Sequence, residues 1–294
     1  MIILCFGITY FVWGSTYLFS AIALEQLPAF SLCGIRYLTA GGLILLLSLF
    51  FSPSRPTLLE LRNAIIAGTL FMGLGATGAI LALNYLDTGL TALIIAGEPL
   101  IILLMLWLVD RKQPPRQAFL GVFLGIIGMY LLVTQDDLVG GPEQWKGVII
   151  ILLSMLAWGA GSIFVGRSSL PQSQLLNSGI QMLVGGIFSF IISLLIAEQL
   201  LSLEEYTSLT FISVTFLIIF GSMVAFTAFN YLLQNVATEK VVTNTYVNPI
   251  VAMGLGYYFR DELITGLSVV AALCMLIGVF FVNTSKREKE TPSH

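Results

Sequence analysis

Phe11-Val12-Trp13-Gly14-Ser15 decides how this chain is read, because Trp13-Gly14-Ser15 returns in the second half as Trp158-Gly159-Ala160. Other matches keep the same order around that pair. Gly34-Ile35-Arg36 recurs as Gly179-Ile180-Gln181, Asn84-Tyr85-Leu86 as Asn230-Tyr231-Leu232, and Glu98-Pro99 as Asn248-Pro249. Ile127-Gly128 ends the first series as Ile277-Gly278 ends the second. Matches spaced by roughly 145–150 residues mark one unit written twice, over residues 1–138 and 139–285, with a charged tail at 286–294. Each copy is strongly apolar and holds five candidate spanning segments. A unit that crosses a membrane an odd number of times leaves its copy facing the other way. Two inverted copies about a shared midplane are a frequent architecture of secondary transporters.

Composition sets the solvent. Of 294 residues 57% are hydrophobic and only 10% charged, and the mean hydropathy is +0.95. A soluble core of this size cannot hide so much apolar surface, and apolar runs of about 20 residues read as transmembrane helices. The net charge of −3 carries little meaning here, since placement outweighs the sum in a membrane protein. No basic cluster fit for nucleic acid is present. Cys5, Cys33 and Cys274 all fall inside apolar runs and read as small buried side chains rather than a disulfide. The single histidine is the last residue, His294, so no metal site and no cofactor is expected. No Walker-type Gly-Lys-Ser/Thr pattern occurs, which excludes direct use of ATP, and no nucleophile–base pair is visible, which argues against an enzyme.

The expected fold is all-α and polytopic: ten transmembrane helices forming two inverted five-helix repeats around a central cavity. The expected spans are 2–24, 29–51, 63–83, 89–109, 118–134, 147–166, 174–197, 210–230, 239–259 and 266–284. The first lacks a basic leader and a small-residue cleavage site, so it reads as a retained helix rather than a signal peptide. Lys and Arg set the orientation. With the N-terminus inside, Arg55, Arg62, Arg111, Lys112, Arg116, Arg167, Lys240, Lys286, Arg287 and Lys289 are cytoplasmic, and only Lys146 and Arg260 lie outside. That split places both termini in the cytoplasm. The connection after segment 2 carries Arg55 and Arg62 while its counterpart carries Glu198, Glu204 and Glu205. Opposite bias in matched connections is what inverted copies require.

Charge within the membrane is scarce and therefore informative. Arg36 lies about 11 Å along segment 2 from its outer end, and Glu98 about 14 Å along segment 4. Two opposite charges at matching depth either form a structural ion pair or face one cavity. In the second arrangement Arg36 offers a fork to a solute carboxylate, and Glu98 binds an amine or takes up a proton. Pro99 and Pro249 follow at matched positions, each removing a backbone donor, so both helices are expected to bend or loosen near the midplane. Lys240, Asn244 and Asn248 share a face of segment 9, with Thr245 beside them, and that face points inward. Trp13 and Trp158 sit at mid-depth, away from the interfacial belt, and either wall the cavity or pack the core. Trp107 and Trp145 fall at membrane edges, where anchoring suffices. The glycines Gly41/Gly42, Gly68/Gly73/Gly75/Gly78 and Gly121/Gly125/Gly128 read as close-packing surfaces.

In the order of these pieces the chain resembles the drug/metabolite transporter superfamily, specifically its ten-helix EamA-type exporters. The resemblance spans residues 1–285 and is carried by Phe11 to Ser15, Ile35-Arg36-Tyr37, Ala92 to Pro99, and Asn244 to Pro249 followed by Asp261-Glu262. It implies an inner-membrane carrier of small metabolites, often amino acids or related compounds, working by alternating access. The copies differ where Arg36 is matched by Gln181 and Glu98 by Asn248, so a charge-dependent step belongs to the first half. The expected function is secondary transport, as an exporter, of small amphoteric solutes, with protons as the candidate coupling ion. Trp13, Arg36, Glu98, Trp158, Gln181, Asn244 and Asn248 are the expected binding residues. A multidrug exporter of cations is the alternative, and a non-transporting structural subunit a further one. Monomer and homodimer are both compatible with the sequence.

Overall fold

The computed structural model describes residues 1–51, 55–111, 116–133, 143–236, 241 and 244–284, and every regular element among them is helical. In chain order these are α1 (Ile2–Leu24), α2 (Ala29–Phe51), α3 (Leu58–Ala82), α4 (Thr88–Ala96 with Glu98–Asp110) and α5 (Arg116–Val133). The second half holds α6 (Gln144–Val165), α7 (Gln174–Leu195), α8 (Ser208–Phe216, Leu217–Val224 and Ala225–Asn235), α9 (Asn244–Arg260) and α10 (Gly266–Thr284). Among the described residues seven helices are long and apolar enough to cross a membrane: α1 to α4 and α6 to α8. The 23 residues of α1 span about 35 Å at 1.5 Å per residue, more than a hydrocarbon core of about 30 Å. Ten spans were expected. α5 and α10 have shorter apolar stretches, and α9 carries Thr245, Asn248 and Arg260, which lower its hydropathy.

Local chemistry moves several boundaries. α3 starts at Leu58 rather than 63 because Thr57 and Glu60 form a capping box. The Glu60 amide donates to Thr57 Oγ1 at 3.2 Å and the Thr57 amide to Glu60 Oε2 at 2.7 Å. Likewise Thr207 caps α8 through the Thr210 amide at 3.2 Å, which brings its start to Ser208. The expected start of segment 9 and the tail at 286–294 lie outside the described residues.

Lipid tails are as apolar as leucine, so helices in a membrane associate through close packing. α2 crosses α7 on glycines of both. A Cβ on Gly41 would stand 2.7 Å from the Leu183 amide nitrogen, and one on Gly186 2.6 Å from that of Leu38. α5 and α10 meet in the same way, since a Cβ on Gly278 would reach the Gly121 carbonyl at 2.6 Å. Most of the larger packings have a counterpart in the other half. α1 on α9 matches α6 on α4, α1 on α8 matches α6 on α3, and α2 on α8 matches α7 on α3, while α2–α7, α5–α10 and α4–α9 pair matched helices directly.

The third helix of each half also changes its winding in mid-span. Thr69–Ala76 of α3 and Leu217–Val224 of α8 are π-helical. Such widened turns recur at functional sites.

Candidate functional site

α4 is interrupted at Gly97, whose amide closes a turn onto the Ile94 carbonyl at 3.0 Å. Pro99 follows and has no amide to continue the first stretch. The new stretch starts at Glu98, so this carboxylate sits in the first turn of a half-helix, where the backbone dipole favours negative charge. α9 differs from its counterpart: Pro249 lies within a continuous helix, Asn244–Arg260.

Arg36 reaches its place by close approach. Its Nε donates to Ser222 Oγ of α8 at 2.7 Å, and its Cζ lies 5.1 Å from the Tyr37 ring centroid. Gly221 makes room, because a Cβ there would stand 2.9 Å from Arg36 Nη2. The Gly221 carbonyl, within the π stretch, accepts from Trp13 Nε1 at 3.2 Å. The matching carbonyl of Gly75 in α3 accepts from Ser154 Oγ of α6. Each π stretch is thus gripped by the first helix of the opposite half.

Between these helices lies a cavity of about 150 Å³. That is the scale of one small organic molecule. Trp13, Arg36, Glu98, Pro99, Trp158 and Asn248 line it. The two tryptophan rings meet edge to face with centroids 6.1 Å apart, and Phe229 packs 4.9 Å from Trp13 and 5.9 Å from Trp158. Arg36 and Glu98 are only 6% and 9% exposed, so both charges are held away from bulk water. Among the described residues no ion pair joins them. Glu98 Oε1 is buried without a hydrogen-bond partner. The cavity therefore presents a fixed cation and an unpartnered carboxylate oxygen separately, within an aromatic wall.

Gln181 is not brought to this cavity. It is fully buried on α7, with its Nε2 donating to Asn177 Oδ1 at 2.8 Å, while its neighbour Met182 lines the wall instead. Pro249 is buried in α9 and off the lining. The side chain of Asn244 and all of Lys240 lie outside the described residues. Tyr17 and Ser222 line the cavity and were not singled out from sequence. Tyr17 is one turn from Trp13, so the helical period would have found it. Ser222 stands where the first repeat has Ala76, a polar difference readable once Asn84-Tyr85-Leu86 is laid on Asn230-Tyr231-Leu232.

Comparison with known proteins agrees with this architecture. The model of the EamA-like transporter family matches residues 1–134 and again 145–284. The inner membrane transporter YedA of Escherichia coli (strain K12) is 31% identical over 279 residues, covering 94% of this chain and 89% of that protein. The transporter YvbV of Bacillus subtilis is 27% identical over 294 residues, covering 95% and 90%. A chloroplastic WAT1-related protein of Arabidopsis thaliana is 24% identical over 289 residues, covering 93% of this chain and 67% of its own. A solved crystal structure superposes with a TM-score of 0.66 at 16% identity, over 95% of this chain and 94% of that one, which speaks for the fold alone. With two family matches laid end to end along a bundle of apolar helices, this multi-pass membrane protein belongs to the EamA-like transporter family.

Proposed function

We propose that this chain is a secondary transporter that exports small amphoteric solutes, amino acids or their relatives, by alternating access of the central cavity. The carrying observation is that Arg36 and Glu98 face one cavity without pairing with each other. A solute bearing both a carboxylate and an ammonium complements the two groups at once. Arg36 would supply a fork to the carboxylate, and Glu98 would accept from the ammonium or carry a proton in its place. Trp13, Trp158 and Asn248 would enclose the remainder. The small cavity favours a metabolite over a bulky drug, and the buried guanidinium counts against a site for cations.

Ten spans in two inverted repeats, 1–138 and 139–285, form the scaffold of this reading. Support comes from the matched packing of the halves, from their paired π stretches, and from lining residues that pair across the repeat, as Trp13 with Trp158 and Gly75 with Gly221 do. The Lys and Arg distribution supports cytoplasmic termini. Export is what the family resemblance implies.

The test is a thermal-shift screen of purified protein with free L-α-amino acids against their methyl esters and N-acetyl derivatives, since a ligand of the folded state raises apparent stability. Free amino acids should stabilise and both blocked forms fail, and Arg36→Ala should abolish the shift. Stabilisation by organic cations that survives Arg36→Ala but not Glu98→Gln would replace this reading with cation export. Coupling to protons is checked in proteoliposomes: flux that ignores a pH gradient and survives Glu98→Gln removes that role.

A further inference from the structure

Gln181 belongs to a second set of polar groups outside the cavity. On α7, Gln174, Asn177 and Gln181 fall at i, i+3 and i+7 and so share one face. Asn177 is 1% exposed and Gln181 0%. Their mutual hydrogen bond leaves Asn177 Nδ2 and Gln181 Oε1 buried without partners. Turning both amides over reverses that bond but again leaves one donor and one acceptor unmatched. Gln174 Oε1, nearer the start of α7, and Thr227 Oγ1 on α8 are buried and unmatched too. α8 joins this region where Asn230 Nδ2 donates to Ser178 Oγ at 2.8 Å. α3 joins it at Gly68, where a Cβ would stand 2.6 Å from the Gln181 carbonyl. The amides thus occupy the seam of α3, α7 and α8, between the cavity wall at Met182 and the end of the bundle where α7 begins.

Packing does not require an amide at position 177. The position of α2 that matches Asn177 is Leu32, which is 0% exposed, so the equivalent helix is built with leucine. Buried polar groups without partners are rare and call for a reason. We propose that Asn177 and Gln181 form a second, uncharged station for the transported solute, on its route between the cavity and the end where α7 begins. The inference rests on the amphoteric-solute reading. A free donor suits a carboxylate and a free acceptor an ammonium, the same two groups that Arg36 and Glu98 meet with full charges. An amide bonded to a carboxylate or an ammonium carries charge on one partner only, a weaker pairing than the two ionised partners at Arg36 and Glu98, so the station passes the solute on rather than trapping it.

The test uses the full chain in proteoliposomes, with free L-α-amino acids as probes. Asn177→Leu with Gln181→Leu should keep or raise the melting temperature and keep the amino-acid-induced shift, while counterflow falls to the empty-vesicle background. Normal counterflow in the folded variant overturns the station. If the double variant does not fold, Asn177→Cys decides, in a background with Cys5, Cys33 and Cys274 replaced by Ala. Modification by a membrane-impermeant methanethiosulfonate, slowed by amino acid, supports the station; no modification, or no protection, overturns it. A wild-type protein that neither binds nor exchanges any amino acid sinks the solute reading itself, which separates the two failures.

Discussion

Ser222 decides what Arg36 can do. A guanidinium has five N–H donors in a fixed fork, and here Nε is taken by Ser222 Oγ at 2.7 Å. That bond sets the plane of the fork and leaves its terminal nitrogens for an anion, while Gly221 keeps the approach open. Ser222→Ala is therefore expected to weaken binding of a free amino acid by about 1.5–3 kcal/mol, the range for a hydrogen bond to a charged group. Titrated thermal shifts check this, and Ser222→Thr, which keeps the hydroxyl that accepts from Arg36 Nε, should restore the affinity. Equal weakening by Ser222→Thr would mean that the hydroxyl does not orient the fork. At this scale the sequence was half legible. Trp13, Arg36, Glu98, Trp158 and Asn248 could be picked out because polar or bulky groups at mid-depth are costly and stand out. Gln181 could not be separated from them, because the repeat gives its depth but not which way its face turns. Ser222 escaped notice because an isolated serine in a membrane helix is ordinary until its partner is known.

Helix ends at one side of the bundle are satisfied by residues remote in sequence. Glu262, in the connection from α9 to α10, accepts from the Thr88 amide at 3.0 Å, from Thr88 Oγ1 at 2.8 Å and 2.7 Å, and from the Gly89 amide at 3.1 Å. It caps α4 as a local Ser or Asp would, adding a charge that suits a helix start. Glu262→Ala should cost about 1–3 kcal/mol, because it leaves buried donors unmet. Thr88→Ala in the same protein should then cost clearly less than it does alone, with a coupling of at least about 0.5 kcal/mol in a double-mutant cycle read by thermal melts. Additive losses would show that the two residues act separately. Elements announced by local pattern were readable from the chain: apolar runs, the gap between segments 3 and 4, the loosened helix at Pro99. The α3 start was readable too, since Thr57 and Glu60 are three residues apart, but the charges of Glu60 and Arg62 put the expected start of the apolar run later. The trans cap by Glu262 was not readable, since its partners lie in the other half. Nor were the π stretches, whose sequences differ little from those of apolar α-helices.

At the scale of the molecule, the two halves are tied to each other at the end where α2, α4 and α8 begin. Glu198, from the second half, caps α2 through the Phe30 and Ser31 amides at 3.2 Å and 2.7 Å. Gln26, from the first half, returns the favour to α8 by accepting from the Thr207 amide at 2.8 Å. Arg260 at the end of α9 pairs with Glu25 after α1 at 2.7 Å. Every one of these bonds crosses from one half to the other, so the halves cannot rock apart at this end without breaking them. The opposite end has fewer described ties, chiefly Asn63 Nδ2 donating to the Ser169 carbonyl at 2.9 Å. Alternating access by rocking of one repeat against the other then requires the Glu25–Arg260 contact to open once per cycle. In a background with Cys5, Cys33 and Cys274 replaced, Glu25→Cys with Arg260→Cys should be joined by a bis-methanethiosulfonate, whose spacer replaces the reach of the two long side chains. Cross-linked protein should lose amino-acid counterflow to the vesicle background, keep its ligand-induced thermal shift, and recover flux on reduction. Full flux through the intact cross-link would mean that this end stays closed throughout, and that solute enters and leaves the cavity by another opening.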